Sequence, residues 1–331
     1  MESEGLFDLQ VNGFAGIDFN DTSINASAMD DALKAMLATG VTGCLPTLIT
    51  APRDVLGERL RRLDAAIAGS RLGPAMVPGY HIEGPFLNPA EGFAGCHPAE
   101  AMSDPDAALY DALEAGLSRP ILLVTLAPER AGAPAAIRQL RAAGRMVAMA
   151  HSNAGFADVR AAVESGLTLS THLGNSLPMS LHKTQNPLLA QLAEPEVVAC
   201  LIADGHHLSP EAFGALLRIK GVERSVLVTD AVLAAAAPPG RYRFAGMDVE
   251  RSADGVVRVP GASNLAGSAL TLDAAVRNVV AWGHATAGET LRMASTNARA
   301  AIAEAAAAHG IVLAPGCVRW SDALEVEAAS L

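Results

Sequence analysis

The chain has 331 residues, 50% hydrophobic and 18% charged, which suits one large α/β domain and excludes a disordered or fibrous chain. Its net charge of -11 and pI near 5.3 offer no basic surface for nucleic acid, and no run approaches the roughly 18 apolar residues of a membrane span. The four cysteines, Cys44, Cys96, Cys200 and Cys317, form no CxxC pair, and the acidic N-terminus MESEGLFDLQ has no signal or transit character, so a reduced, cytoplasmic protein is expected.

Strand-like runs begin near Leu6, Val41, Ala75, Ile121, Arg145, Leu167, Val197 and Arg224. Between them lie the helical patterns ASAMDDALKAMLATG, RDVLGERLRRLDAAIAG, PDAALYDALEAG, PAAIRQLRAAG, FADVRAAVESG, the shorter NPLLAQLAE, and PEAFGALLRIKG; most stop at glycine, the usual residue just past a helix end. Pro105 after Asp104 and Pro210 after Ser209 read as first-turn prolines behind a capping residue. Eight strands alternating with helices close more naturally into a (β/α)8 barrel of the TIM type than into an open doubly wound sheet, the alternative architecture. The alternation breaks near residue 236. There APPGRYRFAGMDVERSADGVVRVPGASN, with turn signals at Ala-Gly and Asp-Gly, predicts hairpin material inserted between the eighth strand and its helix. The helices SALTLDAAVRNVVAWG and GETLRMASTNARAAIAEAA then complete the barrel, and the tail GIVLAPGCVRWSDALEVEA adds one or two short strands. The expected organisation is a barrel over 1–235 and 263–310, with 236–262 and 311–331 forming a small, reduced β appendage.

Four residues stand directly after apolar strand runs: Glu83 in VPGYHIEGP, His151 in RMVAMAHSN, His172 in LTLSTHLGN and Asp230 in RSVLVTD. On a parallel barrel, the C-terminal ends of the strands form the active face. One carboxylate and two imidazoles there supply the O and N donors of a divalent metal site that keeps a position open for water. A second carboxylate beside such a water can take its proton and pass it to a leaving nitrogen. Any one of these residues alone is more simply a satisfied barrel-mouth side chain, and Asp230 alone is an ordinary cap. The set of four at corresponding places points to metal-activated water attacking a carbonyl.

The segments DLQVNGFAGIDFND, LPTLIT, HIEGPFLN, VTLAPE, AHSNA, THLGNS, IADGHH, LVTDA and LAGSALT resemble, in order over roughly residues 5 to 305, those of the N-acetylglucosamine-6-phosphate deacetylase family of the amidohydrolase superfamily. The resemblance implies Glu83, His151 and His172 as metal ligands and Asp230 as general base and acid. The implied reaction is hydrolysis of the N-acetyl group of a 2-acetamido sugar phosphate, N-acetylglucosamine 6-phosphate, to the amine and acetate. Many amidohydrolases hold a second metal with His-x-His on the first strand. Here Gln10-x-Asn12 stands there, and neutral amides are poor transition-metal ligands. One divalent ion per chain is therefore expected, Zn²⁺ by default, with Fe²⁺, Mn²⁺ or Co²⁺ as alternatives. By the same resemblance His207, Asn175, Ser176 and His97 contact the sugar or phosphate, and Leu265 and Ala266 belong to the loop lining the acyl pocket. His206 and His182 have no assigned task, and a homodimer is implied.

The chain departs from the family pattern in three places. Lys183 in LHKTQNPLL is the one cation where the family has a phosphate-gripping Arg, and Lys lacks the bidentate fork of guanidinium. Gly174 replaces a common aromatic, and the chain begins almost at the first barrel strand, so either the family's small β domain is naturally reduced here or the start given to the chain is late. These departures bear on the substrate, and a deacylase of another, non-phosphorylated N-acyl amino sugar or amine is the alternative. A non-catalytic sugar-phosphate-binding protein would be expected to lose Asp230 or a ligand first. A cyclic-amide hydrolase of the dihydroorotase type would need His-x-His and a Lys at the end of the fourth strand, where TLAPE stands.

Overall fold

The alternation of strand and helix is realised along the chain in the computed structural model, which describes residues 1–261 and 264–331. Eight parallel strands form one sheet: β1 (Leu6–Val11), β2 (Val41–Ile49), β3 (Tyr80–Glu83), β4 (Ile121–Leu126), β5 (Met146–Met149), β6 (Leu169–Ser170), β7 (Val198–Leu201) and β8 (Ser225–Leu227), neighbours in that order. β1 to β5 are buried along their whole lengths, as expected of parallel strands covered on both faces. Helices connect them, among them Ala26–Ala38, whose start is capped by Asn25 accepting the Ala28 N–H, and Pro210–Lys220, capped by Ser209 with Pro210 in the first turn. No helix among the described residues is long and apolar enough to cross a membrane.

Two expected boundaries move. β3 begins at Tyr80 rather than near Ala75, because Gly73–Met76 forms a helical turn opened by Pro74 and closed by Val77 N–H donating to the Gly73 carbonyl. The helix expected from Pro105 begins at Ala108, whose N–H finds the Asp106 carboxylate at 3.2 Å instead of a cap from Asp104.

The sheet closes on itself at the seam between β1 and the end of β8. Asn12 N–H donates to the Ala231 carbonyl at 2.7 Å and Asp230 N–H to the Gln10 carbonyl at 2.9 Å, and Val11 bridges Ala231 in parallel register. The result is a nearly closed (β/α)8 barrel. Beneath the seam, buried Asp8 accepts the Gln10 and Thr229 N–H groups at 3.2 Å and the Thr229 hydroxyl at 2.5 Å. Burial, with a smaller push from the Asp230 carboxylate, raises Asp8 to about 7 against those bonds. A folded-state value above the unfolded one means this group's contribution to stability is complete below pH 3.8 and is lost as pH rises through about 7. Relative to Asp8→Asn at the same metal loading, wild-type protein is expected to lose about 3 kcal/mol of unfolding free energy between pH 5 and 8. Urea melts across that range check this; parallel pH profiles for the two proteins would contradict it.

The insert after β8 folds as a separate antiparallel sheet of β9 (Gly240–Phe244), β10 (Met247–Arg251) and β11 (Val257–Arg258), with its turns at Ala245-Gly246 and Asp254-Gly255 as the sequence predicts. The tail strands Cys317–Trp320 and Val326–Ser330 pair with each other and with Glu2–Ser3, so the two β segments expected to share one appendage lie in different sheets. Arg299 ties this terminal sheet to the barrel floor, donating to the carbonyls of Gly5 and Pro315 and to the Thr42 hydroxyl, with its guanidinium 5.2 Å from the Phe7 ring centroid.

Candidate active site

Each residue that the strand-end pattern singles out points into one cavity of about 720 Å³ at the C-terminal mouth of the barrel. The backbone must turn sharply where each strand stops, and three of the four take up the strain. His151 (φ 49°), His172 (φ 33°) and Asp230 (φ 48°) all sit in the left-handed region, as does Ser176 (φ 54°) in the same cavity wall. Non-glycine residues avoid that region, and such strain collects at functional sites held by their surroundings.

Glu83 is the centre of the cluster. His172 Nε2 lies 2.8 Å and His151 Nε2 3.4 Å from Glu83 Oε1, and His97 Nε2 lies 3.7 Å from Oε2. The ligand-type atoms of Glu83, His97 and His151 all fall within 4.8 Å of one another. His97, expected as a sugar contact, thus joins the donor cluster, while His172 touches it through Glu83. The outer ring nitrogens of two of these histidines are engaged: His151 Nδ1 with the Phe93 carbonyl at 2.7 Å and His97 Nδ1 with the Thr50 hydroxyl at 3.0 Å. With Nδ1 donating to a carbonyl, His151 keeps Nε2 as the lone-pair nitrogen that can ligate, as in metal sites where a second partner fixes the ring. His97 Nδ1, by contrast, also accepts the Thr50 N–H at 3.4 Å, which puts the neutral ring's proton on the Nε2 that faces Glu83. Burial alone would raise Glu83, but hydrogen bonds from His151 and His172 and the charge of His172 hold it well below the usual carboxylate range. Burial opposes a charge on His172, yet its bond to Glu83 and the charges of Glu83 and Asp230 raise it. The site therefore selects for positive charge, and its O and N donors fit a divalent ion of the zinc type.

Gln10 and Asn12 act as donors here. Gln10 Nε2 donates to Glu83 Oε2 at 3.1 Å, and Asn12 Nδ2 donates to Asp230 Oδ1 at 2.7 Å. Two amides at the end of β1, Gln10 within the strand and Asn12 just past it, thereby hold both Glu83 and Asp230, work that charged neighbours would otherwise do. Burial raises Asp230 to about 6, with Glu83 adding to the rise and His172, His207 and Asn12 opposing it. Across the mouth, His207 Nδ1 meets Asp204 Oδ2 at 2.6 Å, which directs Nε2 at the cavity. The Asp-x-x-His spacing of ADGHH was the available signal for this pair, and the sequence reading took only its histidine. Burial, together with Asp230 and Glu83, pushes the Cys96 thiol up to about 12, so this neighbour of His97 is a protonated wall group and not a thiolate nucleophile.

The remaining expected contacts divide. Asn175, Ser176, His207 and Leu265 line the cavity; Asn175 Nδ2 donates to the His172 carbonyl at 3.0 Å, and Ser176 Oγ lies 3.3 Å from His151 Nε2. Ala266 is buried behind the wall, its N–H on the Val257 carbonyl. Lys183 lies outside the wall, exposed on the 177–186 loop, and no Lys or Arg among the described residues lines the cavity, whereas Glu91 does. His182 accepts the Thr184 and Gln185 N–H groups, a local tie, and His206 Nε2 meets the Asp254 carbonyl at 3.1 Å, a tie to the insert. Ile49, Val232 and Phe244 complete an apolar side of the wall for which the sequence carried no local signal.

Comparison with known proteins places this geometry in context. The chain is 37% identical over 289 residues to N-acetylgalactosamine-6-phosphate deacetylase of Escherichia coli O157:H7, covering 87% of this chain and 74% of that one. It is 31% identical over 298 residues to N-acetylglucosamine-6-phosphate deacetylase of Lysinibacillus sphaericus, covering 89% and 74%. The solved structure of the Mycobacterium smegmatis N-acetyl-D-glucosamine-6-phosphate deacetylase mutant in complex with N-acetyl-D-glucosamine-6-phosphate superposes with a TM-score of 0.87 at 29% identity, covering 99% of this chain and 84% of that one. No family model matches the chain.

Proposed function

The chain belongs to the N-acetylglucosamine-6-phosphate deacetylase family of amidohydrolases, and from that premise we propose that it hydrolyses the N-acetyl group of N-acetylglucosamine 6-phosphate to the amino sugar and acetate. The observation that carries this reading is a half-buried carboxylate, Asp230, held by Asn12 beside the Glu83–histidine cluster at the mouth of a sugar-sized cavity. In the reading, Glu83, His151 and His172 hold one divalent ion, Zn²⁺, with His97 as the adjacent further nitrogen. The ion, when bound, supplies Lewis acidity that acidifies water and polarises the acyl oxygen.

The protein's own groups do the rest. Asp230 accepts the proton of the attacking water and delivers it to the departing amine nitrogen, so one carboxylate serves both halves of the reaction. Asn12 fixes which Asp230 oxygen is engaged and leaves the other for this transfer. Asp204 orients His207 so that Nε2 meets the substrate's oxygen atoms. Asn175 and Ser176 face the sugar end. A homodimer belongs to the same reading.

A second reading rests on a specific observation: the described cavity wall carries Glu91 and no cation, which favours a sugar without a phosphate. The two relatives named above also differ in the hexose they act on. Steady-state kinetics on N-acetylglucosamine 6-phosphate, its galactose-configured epimer and plain N-acetylglucosamine decide between them. The 6-phosphates are expected to be preferred by about 10-fold or more in kcat/KM. Equal kcat/KM for the phosphorylated and plain sugars would sink the phosphate assignment and leave the deacylase chemistry standing.

A further inference from the structure

We propose that Phe244, brought to the cavity by the insert after β8, closes the acyl end of the site and limits the length of the acyl group removed. The inference rests on the deacylase reading and assigns a specificity role to a residue far from every motif. Phe244 is the last residue of β9, fully buried, and lines the cavity with Ile49, Val232 and Leu265. This apolar wall adjoins the chemistry on two sides. Ile49 pairs in register with Glu83 across β2 and β3, and Val232 lies two residues beyond Asp230. At Gly267, which also lines the cavity, an added Cβ would come within 2.5 Å of Val232 Cγ1 and 3.1 Å of the Asp230 carbonyl, so the wall is tight there. The other apolar stretch, Leu177 to Met179, runs from the half-buried Leu177 to the fully exposed Met179 at the rim that also carries Glu91, a side open to solvent. A methyl attached to a carbonyl that must reach Asp230 and Glu83 therefore fits only against the Phe244 side.

Phe244 is rigidly supported. The turn after it places Ala245 (φ 50°) and Gly246 (φ 90°) in the left-handed conformation of a two-residue hairpin loop. An alanine tolerates that strain because both its backbone polar groups are anchored to the barrel: its N–H donates to Asp18 Oδ2 at 2.7 Å, and its carbonyl accepts from Arg59 Nη2 at 2.9 Å. Phe244 itself packs with Val249, Val257 and Ala266 in the apolar cluster shared by insert and barrel. A wall held in this way excludes bulk by position rather than by yielding.

The test is kcat/KM for the N-acetyl, N-propionyl and N-butyryl forms of glucosamine 6-phosphate, with wild type, Phe244→Ala and Phe244→Leu. Wild type is expected to favour acetyl over butyryl by about 100-fold or more, since butyryl adds two methylenes and each is worth about 10-fold at the least in an apolar pocket. Phe244→Ala should raise the butyryl-to-acetyl ratio by about 10-fold or more, and Phe244→Leu should move it the same way by less. A folded Phe244→Ala that still removes acetyl with an unchanged ratio overturns the proposal. If that variant fails to fold, by circular dichroism, Phe244→Leu decides by the same ratio. Wild-type protein that cleaves none of the three amides would sink the deacylase reading, and this inference with it; wild-type turnover thus separates the two failures.

Discussion

Asparagine in place of Asp230 is expected to lower kcat by about 10³-fold while the metal content of the purified protein stays that of wild type. The substitution is close to isosteric, and an asparagine oxygen still accepts the Asn12 Nδ2 hydrogen that Asp230 Oδ1 accepts at 2.7 Å. Geometry is preserved and proton affinity is lost, so the measurement isolates the acid–base role. The cluster around Glu83 makes no direct hydrogen bond to Asp230, and for that reason the ion should be retained. Kinetics paired with elemental analysis check both halves. Retained turnover would move the proton-transfer role elsewhere, with His207, oriented by Asp204, as the next group to test.

Glu83→Gln is expected to strip the site. Three imidazole nitrogens lie within 3.7 Å of this carboxylate, and it is the oxygen donor they share. An amide there carries no charge and is a poor ligand for a transition metal. Metal affinity should fall by about 10²-fold or more, metal per chain should drop well below one after dialysis, and turnover should fall with it. The same variant should lose the rise in melting temperature that added Zn²⁺ gives wild type, because a ligand stabilises only a fold that binds it. His97→Asn provides the contrast. With Glu83, His151 and His172 as ligands, it should keep its metal and raise KM. A loss of metal as complete as that of Glu83→Gln would instead make His97 a ligand.

Much of the site was legible because of where strand ends must lie. Glu83, His151, His172 and Asp230 are scattered over about 150 positions, yet each follows an apolar run, and a parallel barrel brings all such positions to one face. The hairpin turns at Ala245-Gly246 and Asp254-Gly255 were legible for an equally local reason, since few residues tolerate the required backbone. The start of β3 was misplaced because the apolar stretch from Ala75 continues through a helical turn that periodicity over so few residues does not distinguish from strand.

What the chain alone determined was the alternation of elements, the barrel class, and which side chains stand at the active face. These follow from hydrophobic period, turn chemistry and order along the chain, all local properties. The tertiary structure decided the rest. It placed His97 beside Glu83, set the Gln10 and Asn12 amides as donors to the two carboxylates, buried Asp8 under the seam, and carried Phe244 from the insert into the cavity wall. Each of these depends on a contact between segments distant in the chain, except the burial of Asp8, which depends on the closure of the whole barrel. Such contacts, and the desolvation that shifts a carboxyl from its ordinary range, exist only once the barrel has closed.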